Sequence, residues 1–175
     1  MEVKQLDPNP EERRQQAEFD AGKGVVFGGT PGTRIRRAID DGYPQLRELT
    51  GRCRPGVLVI YDNVHLPTIH VDPYAFKTGM YGLEKIILAR TPDSIRSRIV
   101  DTVFGPKRKV GPERNKALSA VAHLYRSSAE QIGLDVYHNL YAALPLNPRR
   151  LGAPSARHFR LSEKQPGVSQ EWEQM

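Results

Sequence analysis

A chain of 175 residues, 38% of them apolar, is long enough for one domain with a real core and too short for two comfortable ones. Its formal net charge of +6 suits a polyanionic partner, although many plain soluble proteins carry a similar excess of Lys and Arg. The single cysteine, Cys53, excludes an intrachain disulfide and a cysteine-based zinc site, and the lack of any apolar run of membrane-spanning length argues against a membrane partner and for a soluble protein of the reducing cytoplasm.

The opening Met1-Glu2-Val3-Lys4-Gln5-Leu6 alternates with period two, which predicts a half-buried strand over residues 2–6 with Glu2 and Lys4 on one face. An acid and an amine so placed are either a simple ion pair or two parts of a metal-dependent phosphodiesterase site. Asp7-Pro8-Asn9-Pro10 stops the strand, and Pro10 suits the first turn of a polar helix from Glu11 to Phe19. Residues 20–32 are glycine-rich, but Gly29-Thr30-Pro31-Gly32-Thr33-Arg34 lacks the Lys and hydroxyl of a Walker A loop, so an irregular loop is expected. Thr33 then caps a helix over residues 34–50, with Ile35, Ala38, Ile39, Leu46 and Leu49 on one face. Pro44 inside it predicts a kink or restart near Gly42.

Val57-Leu58-Val59-Ile60-Tyr61 is a continuous β-branched run and predicts a strand covered on both faces, with Asp62 and Asn63 at its carboxyl end. His65 and His70 are five apart, a spacing that fits no standard zinc arrangement, and His123, His138 and His158 are scattered, so structural or surface roles are expected for all five. Asp72 caps a short helix from Pro73 to Tyr81, ended by Gly82. Strands are predicted over 84–90 and 99–104, with a helical turn opened by Thr91-Pro92 between them. Lys107, Arg108 and Lys109 sit in a loop bracketed by Gly and Pro, and either meet a phosphate backbone or form a solvated tip. Residues 115–125 read equally as a helical stripe or a buried strand, and 134–139 alternate as a strand. From Pro145 the composition turns to Pro, Arg and Ser. Residues 146–175 are therefore expected to form a polar tail, disordered or docked only through Phe159 and Trp172.

The fold class these elements predict is α/β. A mixed central sheet carries strands 2–6, 57–62, 84–90, 118–124 and 134–139, flanked by helices, with the helix at 34–50 on one face.

The order of a Glu-x-Lys strand, a connector, an amphipathic helix carrying Gln45-Leu46 and a buried strand resembles the PD-(D/E)xK, or restriction-endonuclease-like, phosphodiesterase superfamily. Glu2-Val3-Lys4-Gln5-Leu6-Asp7-Pro8-Asn9 and Pro55-Gly56-Val57-Leu58-Val59-Ile60-Tyr61-Asp62-Asn63 also look like an uncharacterised bacterial family within it. The resemblance spans residues 2–63 and implies a nuclease-like domain over 1–145. It implies that Glu2 and the backbone carbonyl of Val3 ligate Mg²⁺ or Mn²⁺, that Lys4 orients or deprotonates the attacking water, and that Gln45 positions that water or touches phosphate. The partner it implies is nucleic acid, with DNA the expected form, met also by Lys107, Arg108 and Lys109.

In the family pattern a metal-binding Asp sits on a strand before the Glu-x-Lys strand, and Met1 leaves no room for one. The core is thus expected to lack its first elements and to be inactive or incomplete as it stands. Either Met1 is an internal start of a longer nuclease or the chain is a degenerate copy. Asp20 and Asp62 are the two candidates for a relocated acid. The alternative is a non-catalytic module of the same fold that binds nucleic acid or protein. The open edge of the first strand makes a homodimer plausible.

Overall fold

The computed structural model describes residues 1–25, 30–50, 53–62, 71–90, 97–126, 131–151, 153, 155–166 and 168–175. It is an α/β arrangement of a mixed six-stranded sheet, a separate two-stranded ribbon and three α-helices.

Strand β1 (Glu2–Leu6) runs parallel to β2 (Gly56–Asp62), with Lys4 opposite Ile60. Between them come α1 (Pro10–Asp20) and α2 (Thr33–Thr50). Helix α1 starts where the Asn9 side chain accepts from the Glu12 N–H at 2.9 Å and the Glu12 carboxylate accepts from the Asn9 N–H at 2.8 Å. This reciprocal cap leaves neither donor unpaired. None of α1 is buried, so the cap and its polar side chains, rather than packing, hold it.

Helix α2 buries Ile35, Ala38, Ile39 and Leu46 against β1, β2 and β5, and each larger side chain contributes about 2 kcal/mol through burial. Leu49, expected on this face, is 53% exposed. The expected break at Gly42 is absent, and α2 passes through Pro44 as one helix. Pro44 has no N–H to give the Asp40 carbonyl one turn back, and the helix runs on without it. Gly42 marks close approach instead. A Cβ there would lie 2.7 Å from Leu58 Cδ1.

Strand β2 is buried on both faces, as its sequence predicts. Leu58 and Ile60 pack under α2 and α3 (Pro73–Tyr81), while Val57 and Val59 meet Ala120, Ala122, Val136 and Leu146 on the far side. The ambiguous segment is a strand, β5 (Leu118–Arg126), held between β2 in parallel and β6 (Ile132–His138) in antiparallel. Burial on both faces decides it. A helical stripe would have left half of this run in water.

Two expectations are corrected. The strand over residues 84–90, β3 (Glu84–Arg90), is outside the central sheet and among the described residues pairs only with β4 (Ser97–Phe104). Its apolar run predicted a strand but not that strand's partner. The segment after residue 146 is not a polar tail held at two points. It supplies β7 (Ala156–Leu161), parallel to β6, and β8 (Trp172–Gln174), antiparallel to β7. Its buried residues, His158, Leu161 and Gln170, are too sparse among charges to stand out in composition. Phe159 and Trp172 do pack on the core, against Tyr137 at 5.4 and 4.9 Å between ring centroids. The full sheet order is β1-β2-β5-β6-β7-β8.

Candidate functional site

Three polar assemblies lie around this sheet. The first is the Glu2–Lys4 pair. In β1 it is Glu2, Lys4 and Leu6 that turn toward α2, while Val3 is 56% exposed on the opposite face. The Lys4 ammonium lies 3.2 Å from the Glu2 carboxylate, both side chains about a quarter exposed. Gly42 of α2 sits over them: a Cβ there would be 3.5 Å from Lys4 Cε and 3.6 Å from Glu2 Cγ. The pair thus occupies a slot that a larger residue would fill. Gln45 is exposed, with the end of its side-chain amide against the Asp41 and Gly42 carbonyls of its own helix. Of the residues the resemblance implies, Glu2 and Lys4 are therefore brought together, and Gln45 lies exposed on α2.

Among the described residues, no three His, Cys, Asp or Glu side chains are grouped to hold a metal ion. Asp62 stands in register with Leu6, four residues along from the level of Glu2, or about 13 Å. Its carboxylate lies 3.7 Å from His123 instead. Asp20 ends α1, where it accepts from the Gln16 amide. A divalent ion of the Mg²⁺ class needs several oxygen ligands, and Glu2, already paired with Lys4, offers one carboxylate. The described residues do not by themselves make a complete site of that kind.

The second assembly is a groove between α2 and the loop after β4. It encloses about 460 Å³ and is lined by Arg36, Arg37, Lys107, Lys109 and Arg114, with Asp40 and Asp41 as its only carboxylates. The α2 side chains recur at helical spacing and share one face. The loop is held in shape: the N–H groups of Lys109 and Val110 both donate to the Met80 carbonyl, at 2.7 and 2.9 Å, and Val110 is buried. Gly111 and Arg114 exchange backbone bonds at 3.1 Å. Lys109 pairs with Asp40 across the groove, and Arg36 donates to the Thr78 carbonyl at 3.2 Å, so these two cations also tie loop, α2 and α3 together. Arg37, Lys107 and Arg114 present exposed side chains. Arg108 is exposed beside Gly111 and is not among the lining residues. Five cations against two carboxylates make the groove a positive trough with a fixed wall.

Sequence reasoning missed the third assembly, a polar row across the sheet toward the carboxyl ends of β2 and β5 and the amino ends of β6 and β7. Asp62, His123, Tyr125, Asp135 and Arg157 come from β2, β5, β6 and β7. Arg157 makes a bidentate pair with Asp135, both bonds 2.7 Å, and also donates to the Tyr125 hydroxyl at 2.8 Å. The hydrogen bonds it donates to Asp135 raise the Arg157 pKa further above its already high value. Tyr137 is buried beside them. Burial raises its hydroxyl pKa, and the Asp135 charge adds to the effect. Period two hinted that Asp135 and Tyr137 share a face, but only the pairing order joins them to His123 and Arg157. The scattered histidines are also partly gathered: His138 and His158 meet at 2.9 Å. His65 and His70 lie outside the described residues, as does the Thr91-Pro92 turn.

Comparison with protein-family models, with curated proteins and with solved structures gives no match to this chain.

Proposed function

We propose that this chain is a nucleic-acid-binding domain of nuclease-like arrangement, which holds a phosphate backbone in the groove between α2 and the 105–114 loop. The observation that carries this reading is the groove lining, where five cations stand against two carboxylates on a loop already pinned to α3. Phosphates spaced along a strand suit such a trough. Each one neutralised releases condensed counterions, so binding is expected to weaken steeply with salt. Arg37, Lys107 and Arg114 are the groups that reach outward, with Lys109 setting the wall through Asp40. Arg108 is exposed on the same loop and adds to its field.

A second reading, phosphodiester cleavage, is favoured by one observation: Glu2 and Lys4 share the α2-facing side of β1, 3.2 Å apart. This is the juxtaposition that the resemblance to the PD-(D/E)xK superfamily calls for. Bound Mg²⁺ or Mn²⁺ would supply Lewis-acid stabilisation of the phosphoryl oxygens. The part of this chain's own residues in such a reaction is limited to Lys4, whose ammonium faces developing negative charge, and Glu2, which offers a single carboxylate. Binding is thus the primary proposal, and a homodimer through β1 is not required by it.

Fluorescence anisotropy with a labelled duplex, over a range of salt concentrations, tests the binding. The combined substitution Arg37→Glu with Lys107→Glu is expected to lower the slope of log K against log salt by about 1 for each phosphate that goes unneutralised. Binding that ignores both salt and these substitutions overturns the proposal. The same duplex incubated with Mg²⁺ tests the second reading. It holds only if cleavage occurs and is abolished in Lys4→Ala.

A further inference from the structure

Strand β1 ends the six-stranded sheet with an open edge. On one side its backbone pairs with β2, and among the described residues no backbone group bonds to its other side. Helix α1, next in the chain, buries none of its residues and so forms no packed cover there. Val3 is 56% exposed on the face away from α2, while the Glu2 and Lys4 side chains are about a quarter exposed on the face toward it. A strand edge in this state is a template for another strand.

The residues of β1 are complementary to themselves in one antiparallel register. A two-fold axis normal to the sheet keeps every side chain on its own face, so the residue on the axis must stand opposite its own copy. With Val3 on the axis, Glu2 stands opposite the partner's Lys4, Lys4 opposite the partner's Glu2, and the two exposed valines meet. Glu2 and Lys4 already lie 3.2 Å apart within one strand, so two copies close a ring of four alternating charges. Opposite charges that face each other across a strand pair stabilise it, and like charges oppose it. The neighbouring registers fail on this count. Glu2 or Lys4 on the axis would face its own charge, and Gln5 on the axis would set Lys4 against the partner's Leu6.

From this complementarity we propose that the occupant of the edge is a second copy of the chain, paired antiparallel through β1 about Val3, so that two sheets join into one. The axis puts both α2 helices on the same side of the joined sheet, and with them both cationic grooves. The pairing does not depend on what the grooves hold. An edge of five residues buries little surface, so the dimer is expected to be weak and to form in the micromolar range.

The test is sedimentation velocity on the full chain over a concentration series, with the wild type, Glu2→Lys and Lys4→Glu. The wild type is expected to pass from monomer to dimer as concentration rises. Each variant carries one sign of charge on that face of β1, and the two signs are opposite. Each alone is therefore expected to stay monomeric, and an equimolar mixture of the two to regain the dimer. Should either variant not fold, Val3→Cys in a Cys53→Ser background reads the same register, Cys53 being exposed. Residues directly opposite across an antiparallel pair lie within disulfide reach, so oxidation is expected to cross-link this chain. Gln5→Cys in the same background, set against the partner's Met1, is expected to remain single. A dimer that neither charge variant disturbs overturns the proposal, as does a mixture that stays monomeric or a Val3→Cys chain that does not cross-link. A wild type that is monomeric at every concentration also overturns it and leaves the edge to a strand of another protein.

Discussion

The imidazoles of His138 and His158 meet at 2.9 Å, so one ring nitrogen donates while the other accepts, a bond that two neutral rings can make. Burial lowers the His138 pKa to about 4, and the neighbouring His158 acts in the same direction. Burial also lowers that of His158. As the pH falls, the unfolded chain therefore takes up these protons before the folded one does. Stability from the neutral pair is present above the ordinary histidine value of 6.5 and is lost progressively as the pH falls toward about 4. Urea midpoints measured across this interval are expected to decline, and His138→Gln is expected to flatten the decline. Glu84 acts in a different interval. Burial alone would raise its pKa, but hydrogen bonds from Ser169 and the Gln170 N–H, with the Lys77 charge, outweigh that and leave it lowered. Its contribution is present above the ordinary Glu range and is lost only below it, so the two effects separate along the pH axis. The sequence placed His138 in a strand but could not place His158 beside it, because their twenty-residue separation is closed by a parallel pairing that no local pattern records.

At the scale of elements, α2 and α3 touch through glycine. Gly32, just before α2, has φ +74°, and a Cβ there would lie 2.4 Å from the Gly79 nitrogen of α3. A Cβ on Gly79 would in turn lie 2.6 Å from Ile35 Cβ. Gly32→Ala meets both a left-handed backbone and a backbone clash, so thermal or chemical denaturation is expected to show a loss on the order of 3 kcal/mol. The glycine-rich stretch was legible only as an irregular loop. What makes Gly32 necessary is a helix more than forty residues later. Gly42 teaches the same lesson from the other side: beside Pro44 it read as a helix break, yet its missing side chain admits Leu58, Glu2 and Lys4. Helix α2, β1 and β2 were legible because their periodicity is local and their burial follows from it. The ribbon's separation from the sheet was not, since Ile86-Ile87-Leu88 marks a strand without naming its neighbour. Of the candidate sites, the shared face of Glu2 and Lys4 followed from period two, whereas the groove combines a helix face with a loop seventy residues away and became visible only in three dimensions.

Across the whole molecule, the last stretch of chain fastens the parts together. Lys77, only 3% exposed in its side chain, donates to the Gln170 carbonyl at 2.8 Å and lies 3.0 Å from Glu171 and 3.5 Å from Glu84. It thereby joins α3, the ribbon's root and the segment that leads into β8. Lys77→Ala would leave the half-buried Glu84 without its cation and is expected to cost about 2 kcal/mol by chemical denaturation. Composition had marked this region as a tail because it is rich in Pro, Arg and Ser, yet Arg157 and Glu171 are partners of the buried Asp135 and Lys77. Trp172 completes the fastening: its indole N–H donates to the Pro73 carbonyl at 2.8 Å, and its ring lies 4.9 Å from Tyr137 and 6.1 Å from Tyr81. It is the sole tryptophan of the chain. The protein consequently carries its own optical gauge: light absorbed by Tyr81 and Tyr137 emerges as indole emission while β8 is seated, and that transfer fades when the strand lifts away, whether or not the rest of the sheet has opened.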